Sequence, residues 1–225
     1  FSSVNKIVLI VAGGSGTRMN SEIPKQFMLL HNRPVLMHTL SVFNRYNPDM
    51  EIILALPESQ AGKWEKLCKT HEFGLRHKVA SGGETRFHTV KNNIAGLPDG
   101  SLVAIHDGVR PLVSLDTIDR CFKAAAEFGS AVPCLEIPET LRCLKGNNSM
   151  QVDRTAYRLI QTPQVFSAEI LKKAYDRDYL PGFTDDAGVV ESLGHTIHLV
   201  PGNPENIKIT YPQDLTIAAA LLKDY

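Results

Sequence analysis

The sequence predicts an α/β protein built on a doubly wound, mostly parallel sheet, with a projecting β-hairpin arm. Three observations carry that reading. Short runs that are apolar almost without a break alternate with stretches of helical period, as a parallel sheet covered on both faces requires. The first of these runs, IVLIVA at residues 7–12, leads directly into a glycine-rich turn. Residues 136–161 keep no helical period, and their halves, TLRCLK and SMQVDRTAYRLI, flank a GNN turn.

The elements follow in order. After the first strand and its loop, PVLMHTLSVFNRY reads as a helix, and EIILALP at residues 51–57 as the second buried strand. TRFHTVKNNIAGL forms the next helix, ahead of a third strand, LVAIHD, at 102–107. SLDTIDRCFKAAAEFG follows as a helix with Leu115, Ile118, Phe122 and Ala125 on one face and Ser114 and Gly129 as caps. Further apolar runs lie at 130–137, 196–200 and 207–210, with helices at SAEILKKAYDRDY and at PQDLTIAAALLKDY. Strand–helix alternation of this kind implies right-handed βαβ units. Ligands of such sheets bind beyond the carboxyl ends of the strands, which singles out the loops after Ala12 and Asp107. No repeat or linker divides the chain, so residues 1–225 read as one domain, with 137–160 as its arm. A hairpin of that length is marginal alone and needs a surface to rest on, its own domain or another subunit.

Composition narrows the function classes. With 24 basic and 24 acidic residues the formal net charge is zero, which argues against a nucleic-acid binder and makes any anion site local. The four cysteines form no CxxC pair, so neither a zinc site nor a disulfide framework is indicated, and reduced thiols in a cytoplasmic protein are the expectation. No apolar run reaches membrane-spanning length, and no signal-peptide pattern is present.

The chemistry starts at VAGGSGTRMNSEIPKQF, residues 11–27. Glycines let a turn approach a ligand closely and offer backbone N–H groups to phosphate. The turn lacks the GK[ST] ending of a P-loop. It also fails GxGxxG, because the third glycine position is Met19, so an NAD-dependent oxidoreductase does not follow. Arg18 and Lys25 add two cations beside the turn, with Pro24 holding the backbone extended before Lys25. Cations and N–H groups around one turn suit a triphosphate and a phosphoryl or nucleotidyl transfer.

AGGSGTRM followed by PKQ resembles the signature of nucleotidyltransferases, which join a phosphorylated acceptor to a nucleoside triphosphate. SGGETRFHTV, AIHDGVRP, VDRT, QTPQVF, TDDAGVVE and NIKIT then appear in the order found in 2-C-methyl-D-erythritol 4-phosphate cytidylyltransferases of the non-mevalonate isoprenoid pathway. The resemblance covers roughly residues 5–222 and implies a Rossmann-like fold of the nucleotide-diphospho-sugar transferase type. It implies transfer of CMP from CTP to the acceptor phosphate, with pyrophosphate released and Mg²⁺ required. It also implies a homodimer with exchanged arms.

By that resemblance Ala12, Gly13, Gly14, Ser15 and Gly16 wrap the triphosphate, and Arg18 and Lys25 stabilise charge on the α-phosphate. Gly83, Glu84 and Thr89 read cytosine; the family often has Asp and Ser at the last two positions. Asp107 holds Mg²⁺ on the triphosphate, a role that suits the preference of Mg²⁺ for one or two carboxylates plus phosphate oxygens. Arg110, Thr140, Arg154, Thr184 and Lys208 gather round the acceptor phosphate, the arm residues coming from the second subunit, and Lys208 also serves catalysis. Gly108 stands where the family usually has Ala, and Gly188 where it usually has Ser. His106 reads as structural, and Trp64 as a residue covering a helix. Two alternatives remain at this point: a ribitol-5-phosphate cytidylyltransferase, whose first loop is alike, and a non-catalytic nucleotide-binding module on the same fold.

Overall fold

The structure, a computed structural model, describes residues 4–13 and 23–222. Ten strands and seven helices matter here, with short pairs at β2 (Leu29–Leu30) and β3 (Arg33–Pro34) beside the first loop. The central elements run β1 (Lys6–Val11), α1 (Val35–Tyr46), β4 (Glu51–Leu56), α2 (Glu58–Thr70), β5 (Lys78–Ser81), α3 (Arg86–Ile94), β6 (Leu102–Asp107) and α4 (Leu115–Phe128). Then come β7 (Ser130–Leu135), β8 (Arg142–Lys145), β9 (Asn148–Gln151), β10 (Leu159–Ile160), β11 (Gln164–Ser167), α5 (Ala168–Tyr175), α6 (Asp186–Glu191), β12 (Leu199–Pro201) and α7 (Pro212–Leu221).

The main sheet has the order β10-β7-β11-β6-β1-β4-β5, with β12 on β7. β6, β1, β4 and β5 are parallel, whereas β11 lies antiparallel between β6 and β7. The chain leaves β1 in one direction, through β4 to β5, and crosses back to β6 on its other side. The strand order therefore reverses between β1 and β6, where Val11 pairs with Asp107. A crevice opens at such a reversal.

Continuous apolarity in β1 has a direct physical reason. Val8 and Ile10 pack with Leu36, Leu40, Phe43 and Phe122 on one face, while Ile7 and Leu9 pack with Phe87, Val90, Leu171 and Tyr175 on the other. Alternate side chains enter two separate cores, so neither parity can be polar. The caps of α4 are as expected: Ser114 Oγ accepts from Thr117 N, and Gly129 takes the left-handed conformation at φ 79°. Ile118, Phe122 and Ala125 are buried on the expected face, but Leu115, in the first turn, is exposed.

The run at 207–210 forms no strand; it lies extended along the loop after β6, with Ile209 N donating to Val109 O. β8 and β9 form an antiparallel hairpin around residues 146–147, with Cys143 opposite Met150, but it is shorter than expected: Arg154–Ala156 form a 3-10 turn, and Leu159 and Ile160 pair with Leu135 and Cys134 of β7 in the main sheet. The hairpin's residues are exposed throughout, Leu144 at 78%. No helix among the described residues is long and apolar enough to cross a membrane.

Candidate active site

The carboxyl ends of β1 and β6, the start of α3, the turn at Lys25 and the extended segment at Lys208 enclose one cavity. Ala12, Gly13, Lys25, Gln26, Gly83, Glu84, Arg86, Thr89, Asp107 and Lys208 all line it. Eight of the residues expected from sequence thus share one wall. Gly14, Ser15, Gly16 and Arg18 lie outside the described residues.

Each wall has a local cause. Lys25 opens a single 3-10 turn, Lys25–Phe27, in which Phe27 N donates to Pro24 O. Gln26 fastens that turn: its Nε2 donates to Ala12 O at 2.9 Å and to Gln60 Oε1 at 2.7 Å. Phe27 stacks against Trp64, which is buried in the core from α2, so the turn rests on a rigid support. Lys25 is accordingly buried, at 8% exposure.

The turn before α3 is held by Thr89. Its hydroxyl donates to Thr85 O at 3.0 Å and accepts from Gly83 N at 2.8 Å, so both groups shape the turn itself. Gly83 is required there: a Cβ would stand 2.6 Å from the His88 Cβ and 2.7 Å from its carbonyl carbon. Glu84 lines the cavity but is exposed. Gly108 has a similar cause, since a Cβ would approach the Ala12 Cβ to 2.9 Å.

Asp107 is the charge centre of the cavity. Lys208 Nζ lies 3.0 Å from its Oδ2, Arg110 Nε 3.2 Å from the same oxygen, and Arg86 Nε 3.7 Å from Oδ1. Burial alone would raise the pKa of this carboxyl. Arg86, Lys208 and Arg110 more than offset that, holding it well below the usual carboxylate range. Asp107 is therefore an anion at any pH at which the protein works.

His106 sets the backbone on either side. Burial pushes its pKa down to about 4, so the ring is neutral. Its Nε2 faces Arg110 O at 3.0 Å, a group that only accepts, so Nε2 carries the proton. Nδ1 then accepts from Thr162 Oγ1 at 3.0 Å, and Thr162 Oγ1 accepts from Asp107 N at 3.1 Å. With both ring nitrogens engaged, His106 fixes the Asp107–Arg110 turn and has no lone pair for a substrate. This is the structural role expected for it.

The acceptor residues divide. Arg110 is half-buried; besides Asp107, its Nη1 donates to Asn206 O at 2.7 Å. Thr184 is exposed immediately before α6. Thr140 and Arg154 are exposed on the arm, where Arg154 Nη1 donates to Pro138 O, and neither lines the cavity.

The whole chain from the first strand onward matches one family. Residues 6–224 fit the IspD family, 2-C-methyl-D-erythritol 4-phosphate cytidylyltransferase. The chain belongs to this family. The 2-C-methyl-D-erythritol 4-phosphate cytidylyltransferase of Bacteroides thetaiotaomicron is 52% identical to it over 215 residues, which is 96% of this chain and 98% of that one. The corresponding protein of Porphyromonas gingivalis is 48% identical over 219 residues, 96% of this chain and 97% of its own. The crystal structure of the Thermus thermophilus cytidylyltransferase superimposes with a TM-score of 0.77 at 35% identity, covering 96% of this chain and 98% of that chain. Against this family background three residues of the site went unassigned in the sequence. Gln26 lies inside the quoted PKQ, Arg86 inside SGGETR and Asp186 inside TDDAG. The motifs contained them, but only their partners in space give them a task.

Proposed function

We propose that this chain transfers CMP from CTP to 2-C-methyl-D-erythritol 4-phosphate and releases pyrophosphate, the reaction for which its family is named. The observation that carries the reading is a single buried carboxylate, Asp107, ringed by three cations at the strand-order reversal, beside a lysine-bearing turn. A ribitol acceptor is the less favoured reading, since the match to the methylerythritol family spans residues 6–224.

The acceptor phosphate attacks the α-phosphorus of CTP in line. One P–O bond forms, the bond from the α-phosphorus to the bridging oxygen of the β-phosphate breaks, and pyrophosphate leaves with the electron pair. Two anions must meet, so the barrier is mainly electrostatic and fixed cations lower it. In our reading Lys25, together with Arg18, faces the α-phosphate, and Ala12 to Gly16 wrap the triphosphate. Lys208 turns from Asp107 toward the acceptor phosphate, and Arg110 adds its charge from where it stands. No general base is needed, because a phosphate monoester, with a second pKa of about 6, is largely ionised near neutrality. The occupied nitrogens of His106 fit that requirement.

The residues fit a magnesium ion. Among the described residues no cluster of three ligating side chains exists, so a metal must come with oxygens of its own. Asp107 would offer it one ionised carboxylate beside the triphosphate oxygens, which matches the preference of Mg²⁺ for one or two carboxylates plus phosphate oxygens. Bound there, the ion would neutralise triphosphate charge.

Thr140 and Arg154 join Thr184 in the acceptor cradle only if the arm reaches a second subunit. Exposed Leu144 and Met150 on the hairpin, and Tyr157, Leu159 and Ile160 where the chain returns to the main sheet, support that reading, since apolar side chains lacking a cover are unfavourable in water. We therefore read residues 1–225 as one domain, 137–160 as its exchanged arm, and the working unit as a homodimer. The four free thiols accord with a cytoplasmic setting. Nucleotide-dependent melting tests the nucleotide half of this account: CTP with Mg²⁺ raises the melting temperature and NAD does not. Equal shifts with both, or none with CTP, would count against it.

A further inference from the structure

We propose that Arg86 is a positioning residue that couples the reading of the cytosine base to the seating of the acceptor, an inference that rests on the functional reading above. Arg86 is the first residue of α3, three positions after Gly83 in the turn assigned to the base. Its fork grips Asp186 with both terminal nitrogens, Nη1 to Oδ1 at 2.9 Å and Nη2 to Oδ2 at 2.7 Å. Asp186 is fully buried at the start of α6, two residues after Thr184 on the acceptor side. Its Oδ1 also accepts from the Tyr175 hydroxyl at 2.6 Å, which leaves the carboxylate no freedom to turn. The third nitrogen of Arg86 faces Asp107, and its side chain lines the cavity.

One planar group thus ties three pieces of the site: the base turn, the acceptor segment and the charged floor. The fork is rigid, so a shift of the base turn carries Asp186 with it, and a shift of the acceptor segment carries the base turn. Stability alone does not call for the arrangement. A buried ion pair is often no more stabilising than apolar residues of the same volume, so its geometry is the better guide to its role. Arg86 also differs from the other two cations on Asp107. Lys208 is half-exposed and can turn to a phosphate, whereas Arg110 is held at its far end by one hydrogen bond, from Nη1 to Asn206 O. Arg86 is anchored at its far end by two hydrogen bonds and stays. It keeps Asp107 in place while Lys208 moves.

The test measures binding of an α,β-methylene analogue of CTP with Mg²⁺ by calorimetry, with and without saturating methylerythritol 4-phosphate. Wild-type protein is expected to bind the analogue about fivefold tighter or more when the acceptor is present, the low end of ordinary site coupling. Arg86→Lys keeps the charge and loses the fork; Asp186→Asn keeps the shape and loses the charge. Both are expected to bind each ligand but to reduce the coupling to within about twofold. Tyr175→Phe, which leaves the fork intact, retains most of it. Absence of coupling in wild type, or full coupling in Arg86→Lys and Asp186→Asn, overturns the proposal. A second measurement needs no variant: acceptor alone slows amide exchange across residues 82–89 of the wild type, and unchanged exchange there contradicts the coupling. Turnover of CTP and methylerythritol 4-phosphate by the same wild-type preparation separates these outcomes from failure of the functional reading itself.

Discussion

Lys208 Nζ stands 3.0 Å from Asp107 Oδ2, joining the extended segment before α7 to the end of β6. The lysine side chain is 42% exposed, and Arg86 and Arg110 remain beside Asp107 without it, so its loss costs little in folding. Its place at the mouth of the cavity matters more. We expect Lys208→Ala to melt within a few degrees of wild type and to lose about 100-fold or more in kcat/KM for the acceptor. Steady-state kinetics with varied acceptor checks this; wild-type kinetics in that variant would remove Lys208 from the site.

Lys25 lies buried on a turn that Gln26 and Trp64 hold still. A cation fixed before the reaction stabilises charge that develops only in the transition state. Lys25→Ala should therefore lower kcat by about 100-fold or more while changing the KM for CTP only about threefold. An effect confined to KM would assign Lys25 to ground-state binding.

Arg154 is exposed on the arm and absent from the cavity wall of its own chain. If the arm serves a second subunit, Arg154→Ala raises the acceptor KM, and mixed dimers with Lys25→Ala subunits regain activity. One of the two sites in such a dimer then has both residues intact. Activity measured on isolated mixed dimers decides, and no recovery there would confine the arm to its own subunit.

His106 links structure to pH. Burial lowers its pKa from 6.5 to about 4. Between those values the unfolded chain binds a proton that the folded chain does not, so stability rises with pH across this window. The full window is worth about 3 kcal/mol. Burial lowers His38 as well, in the same direction. Below the window Asp107 adds its own loss, because its depressed pKa means that acid protonates a group the folded state needs ionised. Urea midpoints measured from pH 4 to 7 should fall steeply toward acid in wild type and less steeply in His106→Gln. Parallel slopes would show that another group governs the acid limb.

Much of this was legible in the sequence, for stated physical reasons. β1, β4 and β6 are apolar on both parities because both faces are covered, and the caps of α4 are specific residue types at specific positions. Other elements carried no such signal. α2 buries only Trp64, β5 is largely exposed, β11 has four residues, and α6 has six. The site was readable as motifs but not as partnerships. Thr89 looked like a base contact, yet its hydroxyl holds the Gly83 amide. Arg86 and Asp186 lie a hundred residues apart, and no local pattern joins them.

The decisive measurement is pyrophosphate release with CTP and Mg²⁺, comparing methylerythritol 4-phosphate with ribitol 5-phosphate as acceptors. The account predicts turnover with methylerythritol 4-phosphate and none above background with ribitol 5-phosphate. Turnover with ribitol 5-phosphate alone would leave the nucleotide site standing and contradict the acceptor assignment, and release with neither would contradict the proposed function.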